Sequence, residues 1–218
     1  MLTIKEIKKE LNLHITTNHS GKMDGMISLS TSPNVNKQCN KNCLIDGAIC
    51  QKCFSKKQTK MYTNQDLALI KNHEILTSAI LSDEDLPIIN ALYFRFEAFG
   101  DLDNEIQCIN YFNIAKNNPF VNFTIWTKNP HIMKKAIDQG HEKPQNLTVI
   151  YSSLFINKSV KIETLQKKYP FIDKVFTVYD QETIKNENIE INCGARSCMK
   201  CLKCYRKNDI VYINEKLK

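Results

Sequence analysis

Four cysteines fall between Cys39 and Cys53, with three, six and two residues between successive members, and Phe54 follows the last. Four more, Cys193, Cys198, Cys201 and Cys204, stand near the other end at intervals of four, two and two. Thiolates are soft ligands, and close spacing brings several sulfurs to one centre, so each quartet predicts a metal or an iron–sulfur cluster. Two arrangements suit the first quartet. Four thiolates close a tetrahedral zinc site, which is structural and inert; three or four hold an iron–sulfur cluster, and three leave one iron open to a substrate or cofactor. The intervals of the second quartet resemble ferredoxin-like cluster loops more than the paired knuckles of zinc ribbons. Clusters are expected ahead of zinc at both places, and sites mixing Cys50 and Cys53 with the tail cysteines stay open.

Outside the quartets the chemistry-bearing residues are fewer. Arg95 and Glu97 share the polar face of an otherwise hydrophobic strand, where charged groups are rare unless paired or functional, so an ion pair and a working site are both open. Asp101 and Lys128 stand at predicted strand ends, where residues that handle ligands collect. Together Arg95, Glu97, Asp101 and Lys128 form the candidate catalytic set. Cys108 lies in a predicted helix and reads as a small core residue. His14, His19, His73, His131 and His141 lack ligand spacing among themselves and read as surface or satisfied core, and Trp126, the only tryptophan, reads as core. No glycine-rich phosphate loop, Gly-x-Ser-x-Gly elbow or His-Glu-x-x-His pair occurs, which leaves hydrolase and nucleoside-triphosphatase readings without support.

The elements that must position these residues alternate. A short amphipathic helix is predicted over residues 1–20, with Ile4, Ile7 and Leu11 on one side and a polar turn from Thr16 to Gly21. A strand follows from Met26 and ends at Pro33, so the first quartet sits in the loop after it. Thr63 and Asp66 resemble a capping box opening a helix over 64–82. Residues 91–99 read as a strand with Leu92, Phe94 and Phe96 on one face. Helices over 104–117, 130–139 and 159–168 then alternate with strands over 121–127, 147–153 and 174–179, and 209–214 is a candidate last strand. The alternation predicts an α/β fold of parallel βαβ units: five or six mostly parallel strands, as a partial (βα) barrel or an open sheet, with ligands beyond the carboxyl ends of the strands. Residues 1–180 make the barrel with its cysteine loop, and 181–218 a cysteine-rich metal-binding appendage that includes the last strand.

Composition bounds the rest. A chain of 218 residues suits one sizeable core with an appended lobe. The net charge of +7 is scattered rather than run together, so nucleic acid is neither indicated nor excluded as a partner. No signal-like run opens the chain and no segment approaches the ~20 apolar residues needed to span a bilayer, so the expectation is a cytoplasmic protein without membrane contact. Thiols stay reduced there, which favours metal ligation over a disulfide framework for nine cysteines.

The run Gly21-Lys-Met-Asp-Gly-Met-Ile-Ser-Leu-Ser-Thr-Ser-Pro33, with Ile49-Cys-Gln-Lys-Cys-Phe-Ser55, resembles the opening of the phage gene product 88 family, in which a Cys-Tyr-Ala-type ending is usual. The likeness continues in Phe94-Arg-Phe-Glu-Ala-Phe-Gly-Asp101 and in Cys198-Met-Lys-Cys-Leu-Lys-Cys-Tyr205. Trp126-Thr-Lys-Asn-Pro130 and Asn146-Leu-Thr-Val149 are similar to segments of radical-SAM-like phage proteins. That superfamily implies a partial (βα) barrel with a three-cysteine [4Fe–4S] site after the first strand, reductive cleavage of S-adenosylmethionine at an open iron, and in some members an auxiliary cluster in a cysteine-rich tail. Here the intervals and the order differ: Lys52 precedes Cys53, and Phe54 follows it. Phe99-Gly-Asp101 stands where a Gly-Gly-Glu-like segment usually holds the methionine amino group, so the resemblance makes Gly100, Asp101 and Phe54 the candidate cofactor contacts. A fourth thiolate on the open iron would exclude S-adenosylmethionine. The reading is thus a protein with two [4Fe–4S] clusters and radical or redox chemistry on an unnamed small or macromolecular substrate, supplied by an electron donor such as a ferredoxin or flavodoxin. The alternative is a zinc-stabilised, non-enzymatic module that binds nucleic acid or protein.

Overall fold

The computed structural model describes residues 12–217. Its strands are β1 (Ile15–Thr16), β2 (Ile27–Leu29), β3 (Tyr93–Phe96), β4 (Asn122–Thr127), β5 (Leu147–Ser152), β6 (Lys174–Tyr179) and β7 (Tyr212–Lys216). They form one sheet in chain order, β1-β2-β3-β4-β5-β6-β7. β1 is antiparallel to β2, and every later pairing is parallel. Parallel neighbours cannot be joined by a tight turn. The crossovers are supplied by α1 (Lys37–Cys43), α2 (Phe54–Met61) and α3 (Thr63–Ser78), then by α4 (Glu105–Asn117), α5 (Pro130–Asp138) and α6 (Ile162–Lys168), and last by α7 (Gln181–Asn186) and α8 (Cys198–Cys201).

Alternation along the strands gives the sheet two different faces. Leu29, Phe94, Phe96, Phe123, Ile125, Leu147, Val149 and Val175 point to one side and pack with Leu76, Phe112, Met133 and Leu165 of the crossover helices. Phe96 anchors this core between the rings of Tyr111 at 4.3 Å and Phe123 at 5.0 Å, and such pairs add about 0.5–1.5 kcal/mol each beyond burial. Cys108 is fully buried here, as expected. The opposite face carries Tyr93, Arg95 and Trp126, and the cysteine-rich tail packs on it through Leu202 and Tyr205, joined by Met26.

The α/β class, the parallel alternation and the last strand match the sequence expectation. The differences are local. The sheet has seven strands rather than five or six, because Ile15–Thr16 pairs with Ser28–Leu29 where a helix over 1–20 was expected; Ile4, Ile7 and Leu11 lie outside the described residues. Thr63 is no helix cap: Tyr62 occupies that position without a side-chain hydrogen bond, and Asp66 instead accepts from Ser32 Oγ and Asn34 Nδ2. That helix ends at Ser78, and Leu92 precedes the strand it was assigned to and is exposed. No described helix is long and apolar enough to cross a membrane.

Candidate functional site

The first quartet is placed by polar contacts to the loop after β3. Asn36 caps α1 by accepting from Cys39 N at 2.7 Å, and its amide donates to Asp101 O at 2.7 Å. Asp103 accepts from the amides of Lys37 and Gln38 at 2.8 and 3.2 Å and meets His73 at 3.0 Å. Burial alone would raise the Asp103 pKa, but His73 and those amides outweigh it and hold the group below its usual value. The helix carrying Cys39 and Cys43 is therefore clamped at its first turn. Cys50 lies in a 3₁₀ turn, Ile49–Lys52, which Ile49 N ties to Leu154 O at 2.9 Å, and Cys53 opens α2.

The second quartet is fixed from the sheet. Lys174 is buried on β6, and its Nζ donates to Lys203 O, Arg206 O and Asn208 Oδ1 at 2.7, 3.0 and 2.7 Å. Cys193 N donates to Asn214 O at 3.0 Å, and Lys22 Nζ reaches Cys193 Sγ at 3.3 Å and Glu215 at 2.8 Å. Leu202 adopts a left-handed φ of 51° at the end of α8 and turns the chain back towards Cys204.

Both quartets open on one cleft of about 670 Å³, within the range of small-molecule sites. Cys39, Cys50 and Cys53 line it from one side and Cys193, Cys198 and Cys204 from the other. Cys43 turns its thiol to Cys50 O at 3.1 Å, and Cys201 faces a smaller cavity of about 30 Å³ that all four tail cysteines line. All nine cysteines carry free thiols. The thiols act electrostatically on members of their own quartet, Cys50 on Cys39, Cys43 and Cys53 on Cys50, and Cys193, Cys198 and Cys201 on Cys204. Among the described residues no three cysteine, histidine or acidic side chains are already closed to metal geometry.

The carboxylates divide sharply. Glu97 follows the end of β3 with φ 54°, which breaks the alternation, so it does not share the polar face with Arg95 and no ion pair joins them. It is buried instead among donors: Thr31 N at 3.1 Å, Thr31 Oγ1 at 3.0 Å, Gln107 Nε2 at 2.7 Å and the Tyr111 hydroxyl. Burial pushes its pKa up to about 7 against these hydrogen bonds. Asp101 is also buried and accepts from Thr127 Oγ1 at 2.6 Å and from the amides of Lys128 and Leu102 at 2.9 and 2.8 Å; its pKa too is raised by burial, with Lys128 opposing. Gly100 lets these groups approach, since a Cβ there would stand 2.5 Å from Glu97 Oε2 and 2.6 Å from Thr31 Oγ1. Burial, followed by the Asp101 and Glu97 carboxylates, keeps the Cys39 thiol well above its usual pKa, and Lys128 opposes them.

The structure thus brings Arg95, Glu97, Gly100, Asp101 and Lys128 to one cleft with the cysteines, while Phe54 stands exposed at its rim. Three participants escaped the sequence reading. His19 lines the cleft, bonds Ser28 Oγ at 2.8 Å and has its pKa lowered by burial and by Arg95. Tyr205 reaches the cleft through the tail fold. Trp126, expected as core, packs with Tyr205 and also carries the Arg95 guanidinium on its face at 4.0 Å. Only the strand parity of Trp126 with Thr124 signalled its side of the sheet.

The donor sets suit a thiolate-bound metal or cluster. Each quartet supplies four sulfurs, and burial raises the pKa of Cys39, Cys50, Cys193 and Cys198, but a cation beside each quartet opposes the rise: Lys128 at Cys39 and Cys50, Lys22 at Cys193, and Arg95 ahead of Lys22 at Cys198. Such cations offset the negative charge of the metal-bound thiolate form. The family model described as gene product 88 matches residues 4–217. No curated protein and no solved structure matches the chain.

Proposed function

This chain belongs to the gene product 88 family, and we propose that it is an iron–sulfur protein with two [4Fe–4S] clusters serving redox or radical chemistry in the cleft between them. The first cluster takes Cys39, Cys43, Cys50 and Cys53, or three of these, and the second Cys193, Cys198, Cys201 and Cys204. The observation that carries the reading is the opening of both quartets on one ligand-sized cleft. Bound clusters supply one-electron transfer, and S-adenosylmethionine at an open iron adds radical generation. The chain's own residues have separate tasks. Lys128 and Lys22 offset thiolate charge, and Glu97, poised near neutrality, holds or yields a proton beside Cys39. Six parallel strands in chain order, with the main helical core on one face, support a partial (βα) barrel whose open face receives the substrate. A ferredoxin or flavodoxin would be the electron donor.

A second reading has one observation in its favour. The cavity of about 30 Å³ among the tail cysteines suits a single ion, such as zinc, better than a cluster. Anaerobic purification separates the two. About eight irons and eight sulfides per chain, with absorption near 400 nm that bleaches with dithionite, support two clusters. A colourless protein with about two zinc ions refutes them and favours a zinc-stabilised binding module. With iron present, 5′-deoxyadenosine formed from added S-adenosylmethionine supports the radical variant, and its absence leaves electron transfer.

A further inference from the structure

We propose that the cleft holds an oxyanion subsite at Arg95 and Tyr205, which takes the carboxylate or phosphate group of a small-molecule ligand. The inference rests on the cleft being the ligand site, as above, but not on which metal the cysteines hold. Arg95 projects from β3 into the cleft with its guanidinium laid on Trp126 at 4.0 Å and Nη1 against Met23 Sδ at 3.4 Å, so it is held in place by apolar and weakly accepting neighbours. Its Nε is buried and has no hydrogen-bond partner. The Tyr205 hydroxyl, also buried, stands close enough to the guanidinium for Arg95 to oppose, by its charge and a side-chain hydrogen bond, the rise that burial causes in the Tyr205 pKa, yet the contact is too poorly aligned to satisfy either the hydroxyl or Nε. A buried donor left without a well-aligned acceptor costs about 1–3 kcal/mol unless something fills the gap.

The other charged groups of the cleft are already engaged. Glu97 and Asp101 are saturated by the donors described above, Glu215 pairs with Lys22 at 2.8 Å, and Lys128 Nζ bonds Ser152 Oγ at 3.2 Å. Among the described residues Arg95 forms no salt bridge and no hydrogen bond to any cysteine sulfur, whereas Lys22 is the cation built onto Cys193. A planar oxyanion set between Nε and the Tyr205 hydroxyl satisfies both donors, and a guanidinium suits carboxylate and phosphate geometry better than a point charge. The rest of the ligand then lies over Trp126 between the two quartets, with His19 close by. This assigns the substrate to the class of small anionic metabolites and places its charged group towards the tail quartet.

The test uses the anaerobically purified full chain, titrated by calorimetry with inorganic phosphate and separately with succinate at ionic strength fixed with chloride. Emission of Trp126, the only tryptophan, is followed in parallel. Saturable binding of at least one probe with a matching change in emission is expected, weakened at least tenfold in Arg95→Gln and severalfold in Tyr205→Phe; the phosphate and succinate arms tell the two head groups apart. Tyr205→Phe keeps the ring packed on Trp126, so it preserves the test if Arg95→Gln fails to fold. The subsite is overturned if neither probe saturates by about 50 mM, if both variants bind as the wild type does, or if Arg95→Gln alters only a cluster midpoint potential. Iron is assayed on the same samples. Arg95-dependent binding without iron upholds the subsite and refutes the clusters, and iron without such binding does the reverse.

Discussion

Gly100→Ala tests whether the buried acid network beside Cys39 is as tightly built as its contacts imply. The new Cβ would stand 2.5 Å from Glu97 Oε2, 2.6 Å from Thr31 Oγ1 and 2.8 Å from Thr31 O. The constraint is space, since Gly100 is not among the glycines with positive φ. Thr31 O is backbone, and Glu97 is fixed by Thr31, Gln107 and Tyr111, so neither side yields cheaply. Overpacking of this kind costs about 1–3 kcal/mol, and displacing the carboxyl from one partner about 1–3 kcal/mol more. About 3–4 kcal/mol in total lowers the melting temperature of a chain this long by roughly 6–15 °C. Thermal and urea unfolding measure both quantities. Gly194→Ala is the control, because nothing lies within 4 Å of a Cβ there, and it should stay within about 1 kcal/mol of wild type. A Gly100→Ala melting temperature within about 2 °C of wild type would refute the reasoning and imply that the Glu97 loop gives way easily.

The Glu97 pKa of about 7, against an ordinary 4.5, makes a signed prediction. Below pH 4.5 the carboxyl is protonated both folded and unfolded and imposes no penalty; between 4.5 and 7 the unfolded state releases its proton first, so stability falls as pH rises and levels off above 7. The loss is on the order of 3 kcal/mol at most, and urea unfolding of wild type minus Glu97→Gln across pH 4–8 isolates it; a difference that is flat with pH would contradict the assignment. At the other quartet, Lys174→Met removes the ammonium that gathers Lys203 O, Arg206 O and Asn208 Oδ1. Limited proteolysis should then cut between residues 190 and 210 at least tenfold faster, and in the iron-loaded protein the iron content should fall by about half; an unchanged digestion pattern would show that the tail holds itself.

Several features followed from the sequence alone because they are local. Period-two and period-3.6 patterns located the elements of the parallel sheet, most closely Asn122–Thr127, Leu147–Ser152 and Lys174–Tyr179, since a strand or helix with one buried face writes its period into the chain. Cysteine spacing set out the two quartets, and Cys108, a lone cysteine in a predicted helix, read as a core residue and is fully buried. Long-range geometry decided the rest. That the quartets, some 140 residues apart in the chain, face one cleft depends on a tail that crosses the sheet and is held by Lys174, a strand residue with no sequence signal for that task. Glu97 was expected beside Arg95, but a left-handed turn at the end of β3 sends it to Thr31, Gln107 and Tyr111, and parity counting fails wherever a strand stops. Arg95, Trp126 and Tyr205 come from two strands and the tail, so only the folded sheet could set the unsatisfied Nε of Arg95 and the poorly aligned Tyr205 hydroxyl side by side.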